Sequence, residues 1–207
     1  MKIENFVLGM VHTNCYLVSS EETKEGFIVD LATYSPEMVN HIKKSGIQIK
    51  GILLTHGHFD HIMGIEEFIK EIPTTVYAHE DEKELLKDPA LNLSVMRIKG
   101  YGIEEVHFLK DAQNLNLAGF ELQAIHIPGH TPGGCSYYLP KEGVVFTGDS
   151  LFYHSIGRTD FPYGETSLLV DSIKGKLLVL PEDTKVLPGH GDATSIANER
   201  KNNPYLD

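Results

Sequence analysis

The sequence predicts an α/β domain whose strands are covered by helices on their outer faces. Two observations predict it. Between residues 26 and 87, short apolar runs alternate with amphipathic stretches across short joins, the order that builds helix-covered sheets. From residue 105 onward the apolar runs return, and several end in a glycine-flanked histidine or aspartate. At 207 residues the chain is read as one domain spanning 1–207, long enough to bury a core.

The elements follow in order. Residues 2–9 and 14–19 read as strands parted by a turn at Val11-His12-Thr13, and Gly26 to Asp30 as a third strand after a charged turn. Ser35-Pro36-Glu37 supplies an N-cap, a first-turn proline and an early acid for a helix that stops at Gly46. A strand over 50–54, a helix near 63–71, a strand over 74–78 and a charged helix from Glu80 to Lys87 come next. Residues 88–104 show no clean periodicity and fit a substrate-facing loop or short helix as well as a surface excursion. Strands are expected over 106–109, 115–117, 120–127, 135–139, 144–147 and 184–187. A polar loop is expected over 150–164, and helices near 165–174 and 194–201.

The chemistry concentrates in Thr55-His56-Gly57-His58-Phe59-Asp60-His61. Histidine is the commonest metal ligand among side chains. His56 and His58, two apart, cannot share a helix face, so the group is placed on a loop leaving the strand. Four ligand-capable residues at this density point to two metals. His130, Asp149 and His190 each follow a separate apolar run, so four strand ends would bring seven such groups to one edge of a sheet sandwich. Ile127-Pro128-Gly129-His130 and Leu187-Pro188-Gly189-His190 repeat one solution, with glycine letting the chain turn and project an imidazole. The other histidines, 12, 41, 79, 107, 126 and 154, read as core or surface, with His12 and His154 placed in loops.

These motifs resemble the metallo-β-lactamase-fold hydrolases: Thr-His-x-His-x-Asp-His at 55–61, Pro-Gly-His-Thr-Pro-Gly at 128–133, Thr-Gly-Asp-Ser-Leu-Phe at 147–152 and Pro-Gly-His-Gly at 188–191. Within them the chain is similar to the short glyoxalase II-like (hydroxyacylglutathione hydrolase-like) branch, through residues 157–162 and 198–204 as well. The resemblance implies a four-layer αββα sandwich with the metals at one edge of the two sheets. It implies a first metal on His56, His58 and His130, a second on Asp60, His61 and His190, and Asp149 bridging. Asp60 and Asp149 are thereby the candidate catalytic residues. Two divalent ions are expected, zinc first, with iron or manganese as alternatives. A cysteine at position 149 would have implied a β-lactamase of the commonest type; aspartate points away from antibiotic hydrolysis.

Two metals about 3.5–4 Å apart would bridge a water and bring its pKa from 15.7 toward about 7. The hydroxide would attack a polarised carbonyl. A thiolate, with a reference pKa near 8.5, can leave without a strong general acid, which favours a small-molecule thioester such as an S-acylglutathione. Only seventeen residues follow His190, so the helical C-terminal glutathione-binding domain of full-length glyoxalase II is not expected. The first alternative is a mono-iron persulfide dioxygenase on His56, His130 and Asp149, whose family shares Gly157 to Phe161; Pro162 leans toward the hydrolase. The second is a non-catalytic metal-binding protein of the same fold. Arg158 and Asp160 are read either as orienting ligands or closing the pocket, or as an ion pair fixing their loop, and Tyr137, Tyr138, Lys141, Phe152 and Tyr153 as residues that strand packing explains as well as substrate contact.

The net charge of −11 argues against nucleic acid or an anionic membrane as partner. No run approaches the roughly 18 apolar residues of a membrane span, and with an early acid and no long apolar run at the N-terminus a secretory signal is not expected. Cys15 and Cys135 lack any Cys-x-x-Cys pattern and read as reduced thiols of a cytoplasmic protein.

Overall fold

Two six-stranded sheets face each other in the computed structural model, which describes residues 1–96 and 100–206. The first contains β1 (Lys2–Leu8), β2 (Thr13–Ser19), β3 (Glu25–Val29), β4 (Gln48–Leu53), β5 (Val76–His79) and β6 (His107–Leu109), in that spatial order. The chain then forms β7 (Asn114–Leu117), β8 (Phe120–His126), β9 (Cys135–Leu139), β10 (Val144–Gly148), the small hairpin β11 (Leu151–Phe152) and β12 (Ser155–Ile156), β13 (Lys185–Pro188) and β14 (Thr194–Ser195). The second sheet runs β14-β13-β10-β9-β8-β7. Helices α1 (Pro36–Ser45), α2 (Phe59–Ile62), α3 (Ile65–Glu71) and α4 (Lys83–Lys87) belong to the first half of the chain. In the second half, α5 (Thr166–Ser172) continues into a π-helical turn, Ile173–Leu177, and α6 (Ile196–Asn202) comes last.

The period-2 alternation of strands explains the four layers. Tyr16, Val18, Phe27 and Val29 point between the sheets, where they meet Leu122, Tyr137, Val144 and Phe146. Their neighbours Leu17 and Ile28 point outward onto Met38 and Ile42 of α1 and Phe68 of α3. Across the molecule Val145 and Val186 point outward onto Leu169, Ile173 and Ile196. Both faces of the central strands are therefore buried, which is why they read as continuous apolar runs. Burying one side chain such as Phe146 contributes about 1.5–3 kcal/mol.

Local signals set the boundaries. The Ser35 hydroxyl accepts from the Met38 N–H at 3.2 Å, Pro36 opens α1, and Gly46 ends it in a left-handed conformation. Four expectations change. The helix near 63–71 starts earlier, as the separate turn α2 followed by α3, and the polar loop 150–164 contains the β11–β12 hairpin. The helix expected from Glu80 opens as a 3-10 turn, Glu80–Glu82, before α4, and the first two residues of the helix expected over 194–201 pair instead as β14. Within 88–104, Arg97, Ile98 and Lys99 lie outside the described residues.

Strand direction places the site. β4 runs parallel to β3 and β5, while β8, β10 and β13 run alike because β9 is antiparallel to both β8 and β10. The two sheets are stitched where these strands end. The Cys135 N–H donates to the Thr55 carbonyl at 2.8 Å, the Tyr137 hydroxyl to the Leu54 carbonyl at 2.7 Å and the Asn14 N–H to the Gly189 carbonyl at 2.7 Å. No helix among the described residues is long and apolar enough to cross a membrane.

Candidate metal centre

All seven predicted side chains meet at that stitched edge. His56 and His58 leave β4 in non-helical backbone, whereas Asp60 and His61 lie on α2 rather than on a loop, with His58 at its N-cap position. The one-turn helix lets residues 58, 60 and 61 approach the same centre from successive directions. His130 follows β8, Asp149 follows β10 and His190 follows β13.

Two groups form. His58 Nδ1 and His130 Nε2 stand 3.0 Å apart, with the His56 ring 4.8 Å from each of theirs. His190 Nε2 lies 3.3 Å from Asp60 Oδ2 and 3.4 Å from His61 Nε2. Asp149 stands between the groups: Oδ1 is 3.4 Å from His61 Nε2, and Oδ2 is 3.5 Å from His190 Nε2 and 3.7 Å from His130 Nε2. His56 Nε2 and His58 Nε2 are buried without a hydrogen-bond partner. Buried polar atoms without partners are rare, and ring nitrogens that face one another beside carboxylates match the donor set of divalent zinc, iron or manganese. The residues fit the implied ions.

Electrostatics separates the groups. Burial, then the neighbouring imidazoles, pushes His56 well below its ordinary value, and burial with His130 beside it takes His58 down to about 3. His61 moves the other way: burial opposes its charge, but Asp30, Asp149 and Asp60 outweigh burial and hold its pKa above the ordinary value. His190 is also raised, by Asp60 and Asp149 against burial. Burial works against the charge of Asp60 and Asp149, yet His61 beside them keeps both below the usual carboxylate range.

Hydrogen bonds orient the rings. Asp30 Oδ2 lies 2.8 Å from His61 Nδ1, and the same carboxylate accepts from the Thr55 N–H and hydroxyl, each at 2.8 Å. His130 Nδ1 lies 2.6 Å from the Arg158 carbonyl oxygen, which turns Nε2 toward the centre. Both glycines of the repeated Pro-Gly-His sit at close approaches. Gly129 adopts φ +127° and leaves no room for a β-carbon against Leu169, and at Gly189 a β-carbon would overlap Asp149 Oδ1 and sit 2.8 Å from the His61 ring.

A pocket of about 490 Å³ opens above the cluster. Val11, Phe59, Leu93, Phe152, Ile156 and Phe161 supply its apolar walls. Arg158 lies over the Phe161 ring at 4.1 Å, and Phe161 meets His58 edge to face. Arg158 also makes two hydrogen bonds to Asp160, at 2.6 and 2.7 Å, an ion pair on the outside of the loop, while the Arg158 backbone carbonyl meets His130 Nδ1 on the inside. Of the other side chains singled out, Phe152 lines the pocket, Tyr137 and Tyr138 pack in the core layers, Lys141 pairs with Glu121 on the surface, and Tyr153 stacks on His154. His12 and His154 are not among the pocket-lining residues.

Two residues were not singled out by sequence. Asp30 ends a strand and looks like a turn residue. Glu82 sits in a charged run yet is fully buried; its carboxylate accepts from the Gly57 N–H at 2.7 Å and the Gly133 N–H at 2.6 Å. Burial pushes its carboxyl up to about 7 against those hydrogen bonds. The available signal was its position three and four residues before Leu85 and Leu86, the buried face of α4. A further cluster, His79, Asp81 and His126, has the composition of a metal site. Its imidazoles stack in parallel at 3.9 Å and 10°. In-plane lone pairs on stacked rings do not converge, and His126 Nε2 is occupied by the Pro132 carbonyl at 2.8 Å.

Two sheets between helices, with this histidine–aspartate cluster at their common edge, define a metallo-hydrolase architecture. The sequence profile of the Metallo-beta-lactamase superfamily matches residues 8–190, and the chain belongs to that superfamily. It is 37% identical over 210 residues to the "Probable metallo-hydrolase YqgX" of Bacillus subtilis, covering 100% of this chain and 98% of that protein. It is 33% identical over 211 residues to the "Hydroxyacylglutathione hydrolase GloC" of Haemophilus influenzae, covering 100% and 99%. Among solved structures it is similar to the BLEG-1 B3 metallo-beta-lactamase, with a TM-score of 0.92, 39% identity and 99% of each chain covered. It is also similar to TTHA1623 in a di-iron-bound form, with a TM-score of 0.84, 32% identity and 98% and 100% covered.

Proposed function

We propose that this metallo-hydrolase cleaves a small thioester of the S-acylglutathione type. His56, His58 and His130 would hold one divalent ion, Asp60, His61 and His190 a second, with Asp149 shared. The carrying observation is Asp149, within 3.7 Å of ring nitrogens from both groups, His61 and His190 on one side and His130 on the other. Two ions bound there supply Lewis-acid polarisation of the carbonyl and a water acidic enough to attack at neutral pH.

The chain's own residues do the rest. Asp30 and the Arg158 carbonyl fix the His61 and His130 rings so that little reorganisation is needed when substrate binds. The apolar walls hold the acyl group and exclude competing water. Apart from the seven-residue cluster, Arg158 is the one titratable side chain among the described residues lining the pocket, and it is engaged by Asp160. A leaving group that needs no dedicated acid suits such a pocket, which supports a thiolate over an amine. The likeness to GloC supports the same substrate class, and zinc is the first choice of metal, with the di-iron state of TTHA1623 supporting iron as the alternative.

The test combines elemental analysis of protein purified without added metal with turnover of S-lactoylglutathione, a β-lactam and glutathione persulfide. About two ions per chain and thioester hydrolysis, lowered by orders of magnitude in His58→Ala and in His190→Ala, are expected. Near-wild-type thioester rates in both variants would rule out the two-ion reading. One iron per chain with oxygen uptake on the persulfide would replace it with the dioxygenase.

A further inference from the structure

We infer that Glu82 is a positioning residue, a buried carboxylate that fixes the spacing between the His56–His58 segment and the His130 loop before any ion binds. The inference rests on the reading of His56, His58 and His130 as one ligand group.

Those three histidines come from opposite sheets, so their mutual distance depends on how two loops are held. Glu82 belongs to neither loop. It lies in the turn between β5 and α4, and no part of its surface is exposed. One oxygen, Oε1, takes the Gly57 N–H, which lies between His56 and His58. The other, Oε2, takes the Gly133 N–H, three residues after His130. One rigid, planar group thus spans the two backbones, and each oxygen has its own donor. The fit leaves no slack, since a β-carbon on Gly133 would come within 2.7 Å of both Glu82 Cβ and Oε2, and one on Gly57 within 2.8–2.9 Å of Leu85 and Leu86.

Charge matters as much as shape. A carboxylate accepts at both oxygens, whereas a glutamine of the same size accepts at one end and donates at the other. At position 82 the amide would set N–H against N–H at one of the two loops. Burying an acid is costly unless its hydrogen bonds repay it, and here both of its hydrogen bonds go to ligand-bearing segments.

The test is Glu82→Gln, titrated with cobalt(II) and zinc in competition with a chromophoric chelator, beside the wild-type protein. The expected result is a 10–100-fold weaker first position, the range for groups that orient ligands, with the Asp60–His61–His190 position within twofold of wild type. The cobalt absorption bands of the first position should change shape while the thermal unfolding of the metal-free variant stays near wild type. A first position in the variant that binds as tightly as in wild type, with unchanged cobalt bands, overturns the inference. Wild-type protein that binds no metal overturns the underlying reading instead. A measurement that needs no variant is amide hydrogen exchange in metal-free wild type. Gly57 and Gly133 should be protected to the same degree without metal as with it, and exchange at the rate of free chain in the metal-free form refutes pre-positioning even if Glu82→Gln does not fold.

Discussion

Asp30, just past β3, and His61 on α2, 31 residues apart in sequence, face each other at 2.8 Å, 1% and 0% exposed. The aspartate adopts a left-handed conformation, φ 57°, and also holds Thr55 through its N–H and hydroxyl. It therefore sets the ring angle of one candidate ligand and anchors the start of the segment that carries three others. Replacing Asp30 by alanine should weaken metal binding or thioester turnover 10–100-fold. Zinc competition titration reads the effect, and a change under twofold would mean His61 is oriented by packing alone.

Acidification should strip the two ions in order. His61 and His190 have raised pKa values in the metal-free protein, so protons compete for them as pH falls through those values. His58, at about 3, and His56, pushed well below its ordinary value, stay neutral and keep their lone pairs. Affinity at the Asp60–His61–His190 position thus falls first on going down in pH. Metal content after dialysis at stepped pH between about 7.5 and 5 should pass through a one-ion plateau. Simultaneous loss of both ions contradicts this ordering.

Two glycines separate close approach from mere flexibility. Gly189→Ala drives a methyl group into Asp149 and His61 and should abolish metal binding. Gly175 in the π-helical turn has open space around its β-position, so Gly175→Ala should raise stability by about 0.4–1 kcal/mol. Urea unfolding and metal content of the two variants give the comparison.

Much of this was legible in the sequence, for reasons that differ by residue. The helix α1 could be read because its signals are local: a capping serine, a first-turn proline and a terminal glycine. The five histidines of the candidate set stood out because histidines in glycine-containing loops at the ends of apolar runs are conspicuous, and Asp60 and Asp149 stood out beside them in the same kind of loop. Asp30 and Glu82 escaped because each acts on residues at least 25 positions away, and nothing adjacent in sequence marks that contact. Glu82 was hidden further by its charged neighbours Glu80, Asp81, Lys83 and Glu84, which make a solvated face the natural reading. The β11–β12 hairpin is too short for a period to show, though Phe152 and Ile156 from it shape the pocket.

The seven side chains divide four and three between the halves of the polypeptide, with residues 56–61 from the first sheet's half and His130, Asp149 and His190 from the second. Both cysteines are unpaired, so no covalent link joins those halves except the chain itself. Bound ions would be the clasp at one end of the sandwich, each adding RT ln(1 + [L]/Kd) to the resistance against opening. Metal supply would then govern the lifetime of the molecule along with its turnover, and a starved chain would give way to proteases first where the two halves meet.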